Sequence, residues 1–447
     1  MPVSDDPSDG TLAEYPAVRI GVLGAGNVGA AFVEIVERER EAIARRTGLR
    51  LEIAAVAVRS LAKPRSAALN TDTLTLDAHA VVVDPSVDVV VELIGGIEPA
   101  RTLIVEALKS GKAVVSANKE LLANYGAELH AIAESSGSSL RYEAAVGGAI
   151  PLVRALSVSL QGEPIRRMMG IVNGTTNYVL SRMSDERVTY AEALAEAERL
   201  GYAERDPSAD VEGFDASSKA AILASIAFGA NVVAGDVYRE GIEQVEVDDI
   251  DFADRLGYVV KLLAVAERTS SEDEPLTIGV RVHPAMVPSD HPLAGVRGAF
   301  NAVFIEGEYA GELMLYGRGA GGAPTASAVL GDVIEVASRR GADRPALETR
   351  RETVAIRTID DLETQYYLTI DVADRPGVLA TVASAFGARS VSIRSMEQVG
   401  LGPDARLVFI THLAREADVQ ATLAELRGLD EVRRIGGLLR VIGPEHG

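Results

Sequence analysis

The chain has no cysteine among its 447 residues. Disulfides, thiolate zinc sites and thiol nucleophiles are therefore excluded. It is also short of positive charge. Lys and Arg number 44 against 65 Asp and Glu, a formal net charge of −21. That disfavours nucleic acid and anionic membranes as partners, because both require a basic surface. An anionic small ligand is not excluded, since it needs only a few local donors. No apolar run is long enough to span a bilayer. The longest, AAILASIAFGANVVAG from Ala220, is too short and too rich in small residues. Residues 1–16, MPVSDDPSDGTLAEYP, are acidic and lack the basic-then-apolar order of a signal peptide. They read as a disordered tail, and the chain as cytoplasmic. At this length roughly two to four domains are expected.

What is present begins with a strand, a glycine turn and a helix. VRIGVL, from Val18 to Leu23, runs directly into GAGNVGAAFVEIVERER. Gly24, Gly26 and Gly29 form G-x-G-x-x-G, with Ala25, Asn27 and Val28 between them. Gly24 suits the tight turn, Gly26 lets backbone approach a pyrophosphate, and Gly29 lets the helix pack close to the strand. The helix N-terminus offers N–H groups to phosphates. A dinucleotide site is the expectation.

The second strand, EIAAVAV, ends at Arg59, with Lys63 and Arg65 just beyond. NAD-preferring enzymes place an acid near here to hold the ribose 2′-hydroxyl. A cationic pair suits a 2′-phosphate instead, so NADP is favoured over NAD. The competing reading is an ordinary solvated basic loop. Further strand–helix units follow: VDVVVELIGG, EPARTLIVEALKSG and KAVVSANKELLANYG. Their order argues a doubly wound, mainly parallel sheet, which binds ligands beyond the carboxyl ends of its strands. SANK, Ser116 to Lys119, sits at such an end. Lys119 is placed to reach the nicotinamide edge or a substrate oxygen, or else is a surface lysine at a helix start. In LRYEAAVGGAIPLVRAL, Glu143 precedes an irregular turn at Val146, Gly147 and Gly148. Spacing alone leaves two readings there: a hinge crossing between domains, or a turn whose carbonyls and one carboxylate hold a cation.

Past residue 160 comes a strand, a Gly-Thr turn and a helix, IRRMMGIVNGTTNYVLSRM, then an amphipathic helix ending at Gly201. Next, GYAERDPSADVEGFDASSKAAIL packs Glu204, Asp206, Asp210, Glu212 and Asp215 ahead of a lone Lys219. Asp215 caps or opens a helix, and Lys219 lies one turn along on the same face. Desolvation lowers a lysine pKa and a nearby carboxylate raises it, a tension that permits proton exchange near neutral pH. A surface ion pair beside a solvated acidic loop is the plain alternative. The dinucleotide site shifts the balance. Hydride transfer to a carbonyl leaves an alkoxide that needs a proton donor. This segment has no histidine, and its acids suit a cationic amine on the substrate.

GAGNVG, SANKE, GGAIP, VNGTTNY, the acidic segment and GRGAGGAPTASAV together resemble homoserine dehydrogenase, over roughly residues 17–345 and in the family's order. The resemblance implies NAD(P)H-dependent reduction of L-aspartate 4-semialdehyde to L-homoserine, on the route to threonine, methionine and isoleucine. It implies Lys219 as proton donor and acceptor, with Lys119 orienting the reacting oxygen. It places Glu204 and Asp215 on the substrate, Glu204 on the amino group, with Asp210 organising the site and Thr175 offering backbone contacts. It sets Gly201 and Gly322 against the cofactor. It implies a monovalent cation, Na+, held by Glu143 with the carbonyls of Val146, Gly148 and Ile150.

From Gln365 to the end, the order β-α-β-β-α-β is ferredoxin-like. DRPGVLATVASAF resembles the ACT domain, through Asp374, Gly377 and Leu379. That implies an amino-acid effector, L-threonine; a dimerisation module without ligand is the other reading. The expected class is α/β. A Rossmann-type dinucleotide domain (17–150 and 317–341) is followed by an α+β substrate and dimerisation domain (151–316), a linker (342–363) and an ACT domain (364–447). A homodimer or homotetramer is expected. The rivals in function are a reductase of another amino-acid aldehyde or imine, and a non-enzymatic amino-acid sensor.

Overall fold

The computed structural model describes residues 12, 15–61, 69–271, 274–339 and 354–443. The chain divides into two compact units, Met1–Gln161 with Gly317–Arg350, and Gly162–Tyr316 with Arg351–Gly447.

The first unit is built on six parallel strands: β1 (Ala17–Leu23), β2 (Arg50–Ala57), β3 (Leu74–Thr75), β4 (Val89–Glu92), β5 (Ala113–Ser116) and β6 (Leu140–Arg141), in the order β3-β2-β1-β4-β5-β6. Between them run α1 (Asn27–Arg38), α2 (Arg40–Thr47), α3 (Ala78–Val83), α4 (Ala100–Lys109) and α5 (Lys119–Ser135), and the short α6 (Leu152–Arg154) follows β6. Strands buried on both faces need near-continuous apolar runs. Ile20, Val22, Val89, Val90 and Val91 are fully buried. The strand order reverses between β1 and β4, and a crevice opens at their carboxyl ends. The chain returns to this unit with α12 (Gly322–Ser338), whose Ala326, Val329 and Val333 pack with Phe32, Val33 and Val36 of α1 in one core.

The second unit carries a mixed sheet. Its strands are β7 (Ile165–Ile171), β8 (Tyr238–Arg239), β9 (Tyr258–Arg268), β10 (Thr277–Pro288), β11 (Phe300–Gly307), β12 (Gly311–Arg318), β13 (Ala355–Ile356), β14 (Glu363–Ala373), β15 (Ile393–Leu401), β16 (Asp404–Thr411), β17 (Ala414–Arg415) and β18 (Val432–Val441). The main path runs β12-β11-β7-β9-β10-β18-β14-β16-β15. Its helices are α7 (Gly174–Glu186), α8 (Tyr190–Leu200), α9 (Ser208–Val211), α10 (Phe214–Ala227), α11 (Val247–Arg255), α13 (Val378–Ala388) and α14 (Glu416–Leu426). The tail strands lie in the order β18-β14-β16-β15, with α13 and α14 in the crossovers, as the ferredoxin-like reading requires. The tail does not stand apart. β18 pairs in parallel with β10, so its sheet continues the sheet of the preceding segment. Of the expected linker, 342–353 lie outside the described residues. Ala355–Ile356 pairs with β10, and β14 already begins at Glu363. Among the described residues no helix is long and apolar enough to cross a membrane.

Charge also joins the tail to this unit. Asp249 of α11 is 2% exposed. Its Oδ2 accepts the Glu246 N–H at 3.0 Å and its Oδ1 the Tyr367 hydroxyl at 3.3 Å. Burial pushes its carboxyl up to about 6. A carboxyl raised in the folded state titrates in the unfolded chain first. Stability therefore falls as pH rises from the ordinary carboxylate range to about 6, and the penalty persists above that. Asn at this position keeps an acceptor for the Glu246 N–H and offers an amide to the Tyr367 oxygen. Asp249→Asn should stabilise the fold more at pH 8 than at pH 5, by a difference on the order of 1–2 kcal/mol, and raise the melting temperature accordingly. Thermal denaturation at the two pH values checks it. An equal shift at both would remove the burial argument.

Candidate functional site

In the first unit the predicted nucleotide residues gather at the crevice. Gly24 takes φ +102°, which only glycine adopts readily, and a Cβ there would lie 2.6 Å from the Leu93 carbonyl oxygen at the end of β4. A Cβ on Gly29 would lie 2.1 Å from the Gly24 carbonyl oxygen, so α1 sits directly on the turn. Nothing lies within 4 Å of a Cβ on Gly26. The backbone there is open, as an approaching pyrophosphate needs. Ala25 joins the turn, and Asn27 and Val28 form the first turn of α1, whose N-cap Gly26 supplies no side chain to compete for the N–H groups. Gly322, first in α12, lies against this turn, with a built Cβ 3.0 Å from the Asn27 carbonyl oxygen. These residues fit a dinucleotide. Arg59 is exposed two residues past β2; Lys63 and Arg65 lie outside the described residues.

Ser116 and Lys119 lie at the end of β5. Two residues not foreseen organise this edge. Glu92, fully buried at the end of β4, accepts the Ile94 N–H at 2.7 Å, the Gly95 N–H at 3.2 Å and the Ser116 hydroxyl at 2.6 Å. Asn118 caps α5, its Oδ1 accepting the Leu121 N–H, and its amide donates to the Gly96 carbonyl at 2.6 Å. Lys119 is the first residue of α5, with its side chain exposed. An acid ending an otherwise apolar strand was the available signal for Glu92.

Glu143 is 3% exposed. Its two carboxylate oxygens accept the N–H groups of Val153 and Arg154, each at 2.8 Å. Its own N–H donates to Asp332 Oδ2 at 2.8 Å, and Arg154 Nη2 meets Asp332 Oδ1 at 2.7 Å. Burial pushes the Glu143 carboxyl up, against the pull of those N–H donors, and pushes Asp332 up to about 7. The carboxylate thus caps α6. The turn beside it, with Gly147 and Gly148 at positive φ, carries the Val146, Gly148 and Ile150 carbonyls, of which Ile150's accepts the Leu152 N–H at 2.8 Å. Among the described residues no three His, Cys, Asp or Glu side chains group as a metal site. A cation here would be held by carbonyl oxygens, with Glu143 supplying charge.

In the second unit Asp210 and Asp215 of the acidic segment converge with the lysine, while Glu204, Asp206 and Glu212 stay exposed. Lys219 is 8% exposed and Asp215 7%. Lys219 Nζ donates to Asp215 Oδ2 and to the Val172 carbonyl, both at 2.6 Å. Asp215 does not cap α10. Gly213, at φ +84°, is the N-cap, and Asp215 stands in the first turn with its carboxylate turned to Lys219. The surface ion-pair alternative fails on burial.

In this unit sequence reasoning missed Asn173. Its Oδ1 accepts the Thr176 N–H at 2.8 Å and caps α7. Its amide nitrogen donates to Asp210 Oδ1 at 2.7 Å and to Asp215 Oδ2 at 2.9 Å. One side chain therefore ties the strand end, both acids and the lysine together. Thr175 is in the first turn of α7, and its hydroxyl donates to the Tyr202 carbonyl at 2.7 Å, which pins the start of the acidic loop. Glu204 is exposed two residues further on, and Gly201 closes α8 in the left-handed region at φ +78°. The arrangement offers carboxylates for an ammonium group beside an amine able to give a proton. In the tail, Gly377 is the N-cap of α13 at φ +93°, Leu379 is 37% exposed and Asp374 Oδ1 accepts the Gln398 amide at 3.4 Å.

Comparison with known proteins bears on both units. Family models match for "Homoserine dehydrogenase" over residues 151–334, for "Homoserine dehydrogenase, NAD binding domain" over 24–143, and for "ACT domain" over 366–431. The chain is 47% identical over 433 residues to a homoserine dehydrogenase of Mycobacterium tuberculosis, covering 95% of this chain and 98% of that one. Among solved structures, a homoserine dehydrogenase from Thiobacillus denitrificans superposes with a TM-score of 0.90 at 39% identity, covering 96% of this chain and 99% of the other. A hyperthermophilic archaeal homoserine dehydrogenase in complex with NADPH matches with a TM-score of 0.61 at 28% identity, over 73% of this chain and all of that one.

Proposed function

The chain belongs to the homoserine dehydrogenases, NAD(P)-dependent oxidoreductases, and from that premise we propose that it reduces L-aspartate 4-semialdehyde to L-homoserine, reversibly, with Lys219 as the proton donor. The observation that carries the assignment is the buried Lys219–Asp215 pair held through Asn173 to Asp210.

When bound, the nicotinamide coenzyme supplies hydride to the aldehyde carbon. The α1 N-terminus and the open backbone at Gly26 receive its pyrophosphate. Glu204 and Asp215 accept N–H bonds from the substrate ammonium, and Asn173 keeps Asp210 and Asp215 in register while they do so. The aldehyde oxygen, reduced to an alkoxide, takes a proton from Lys219 Nζ. Lys119 orients that oxygen. In the oxidative direction neutral Lys219 accepts the homoserine hydroxyl proton. The test is turnover in both directions: NADPH consumption with aspartate semialdehyde, and homoserine-dependent NADP reduction. A reductase of another aldehyde or an amino-acid sensor performs neither.

NADP is assigned ahead of NAD because Arg59 is exposed just beyond β2, where a 2′-phosphate would be met. Arg59→Asp should weaken NADP by about 10–100-fold and leave NAD within a few-fold, since a charge-assisted contact is worth about 1.5–3 kcal/mol. Fluorescence titration of both reduced coenzymes decides it, and equal losses would withdraw the phosphate assignment. The same reading includes Na+ on the Val146–Ile150 turn, L-threonine as inhibitor at the ACT domain, a homodimer or homotetramer, and residence in the cytoplasm. The βαββαβ tail supports the effector site, and the threonine dependence of the initial rate tests it.

A further inference from the structure

Three short pairings succeed one another along the flank of β10 opposite β9, and beyond β13 the next two are those of β8 and β18. Tyr238 and Arg239 of β8 pair with Arg281 and Val282, and Arg440 and Val441 of β18 pair with Ala285 and Met286. Glu240 falls in the gap, its N–H donating to the Val282 carbonyl at 2.8 Å. Arg440 closes that gap. Its Nη1 and Nη2 donate to the two carboxylate oxygens of Glu240 at 2.8 and 3.0 Å. Its Nε and Nη2 meet Glu416 Oε2 at 3.0 and 2.9 Å. Arg440 is 1% exposed and Glu416 2%. The Tyr366 hydroxyl donates to Glu416 at 2.8 Å, and that of Tyr238 to Glu240. A two-pronged guanidinium–carboxylate contact fixes orientation as well as distance.

From Glu240 the chain passes directly to the acidic loop through backbone contacts. A Cβ on Gly241 would lie 2.3 Å from the Val211 carbonyl oxygen, and the Ile242 N–H donates to that oxygen at 2.9 Å. A Cβ on Gly213 would lie 3.3 Å from the Glu240 carbonyl oxygen. Val211 follows Asp210, and Gly213 is the N-cap of the helix carrying Asp215 and Lys219. A displacement of Glu240 therefore meets main chain, not flexible side chains, on both sides of the loop.

We propose that Arg440 is a positioning residue for the amino-acid substrate: the last strand of the ACT domain, gripping Glu240, holds the acidic loop where Asp210 and Asp215 can work. The proposal rests on the substrate assignment made above. It makes occupancy of the ACT fold part of substrate binding, and gives an effector on that fold one named side chain through which to act.

The decisive variant is Arg440→Lys, which keeps the charge and loses the fork. The KM for homoserine should rise about tenfold, with kcat within about threefold and the NADPH Kd unchanged by fluorescence titration. Glu416→Gln leaves the Arg440–Glu240 fork in place and should raise KM by a smaller factor, about threefold. The Arg440→Lys, Glu240→Gln double variant should show less than the product of the single effects. A KM within twofold of wild type in Arg440→Lys overturns the proposal, as does a rise in KM matched by equal weakening of NADPH, which marks general loosening. Should Arg440→Lys not fold, Glu416→Gln decides, an unchanged KM overturning it. Failure here is separable from failure of the substrate reading: an inactive Lys219→Met beside an Arg440→Lys of normal KM defeats only the role of Arg440.

Discussion

Replacing Lys219 with methionine should lower kcat about 10²–10⁴-fold, the usual range for a lost general acid–base group. Methionine is unbranched and similar in length, so it fills the same buried slot on α10 without the amine. The variant loses the donor to the Val172 carbonyl and to Asp215, while Asn173 still donates to Asp215 and retains the geometry of the acids. NADPH affinity should be unchanged, because the glycine turn that receives the pyrophosphate belongs to the other unit and Gly201 makes no side-chain contact that the substitution removes. Lys219→Arg separates two roles. Arginine restores positive charge but holds its proton far too tightly to give it up near neutral pH. If Lys219 transfers the proton, Arg is as inactive as Met. If Arg recovers most of the rate, the lysine acts as a fixed charge and the proton comes from elsewhere. Initial rates in both directions, with NADPH titration for each variant, read the result.

The second large effect is on coenzyme binding, and two neighbouring glycines divide it. In Gly29→Ala the new Cβ, fixed in place by its own backbone, meets the Gly24 carbonyl oxygen at 2.1 Å, a clash that no rotamer relieves. Helix α1 must lift from the turn, and the N–H groups of its first turn move with it. NADPH binding should weaken about 100-fold, about 2.7 kcal/mol, and the melting temperature should fall. In Gly26→Ala the Cβ meets nothing within 4 Å, so the protein alone has no reason to be destabilised. NADPH should nevertheless bind at least about tenfold more weakly, because the methyl stands where the pyrophosphate must approach. An unchanged melting temperature with unchanged NADPH affinity in Gly26→Ala would mean that this face of the turn is not the coenzyme face.

These contrasts also show what the sequence carries and what it leaves to the fold. The glycine turn was legible because strand, turn and helix are contiguous and each glycine answers a local steric demand. The Lys219–Asp215 pair was legible because one turn of helix sets its spacing. Asn173 was not. Its value depends on two acids brought from α9 and α10, and as an amide after a strand it reads only as a helix cap, which it also is. Glu92 shares that fate, since its partner Ser116 comes from the next strand in the sheet. Asp215 was read as a cap or as the opening of a helix. Gly213 takes the cap, because left-handed geometry admits the loop where a side-chain oxygen would otherwise serve. The tail was read as a ferredoxin-like unit, which the fold bears out, but its strand pairing with β10 was not foreseen. Which edge strand finds which neighbour is a matter of tertiary packing, and periodicity does not record it.

The parallel pairing of β18 with β10 has a bearing on biogenesis. A ribosome releases β10 long before β18 exists, so the stretch at Ala285 and Met286 must wait with its hydrogen-bonding groups unmatched, although β8 already covers Arg281 and Val282 on the same flank. The Ile442 N–H, donating to the Met286 carbonyl at 2.9 Å, fastens the far end only when synthesis has passed it. Completion of this part of the sheet is therefore expected to wait for β18, the late strand acting as the closing stitch.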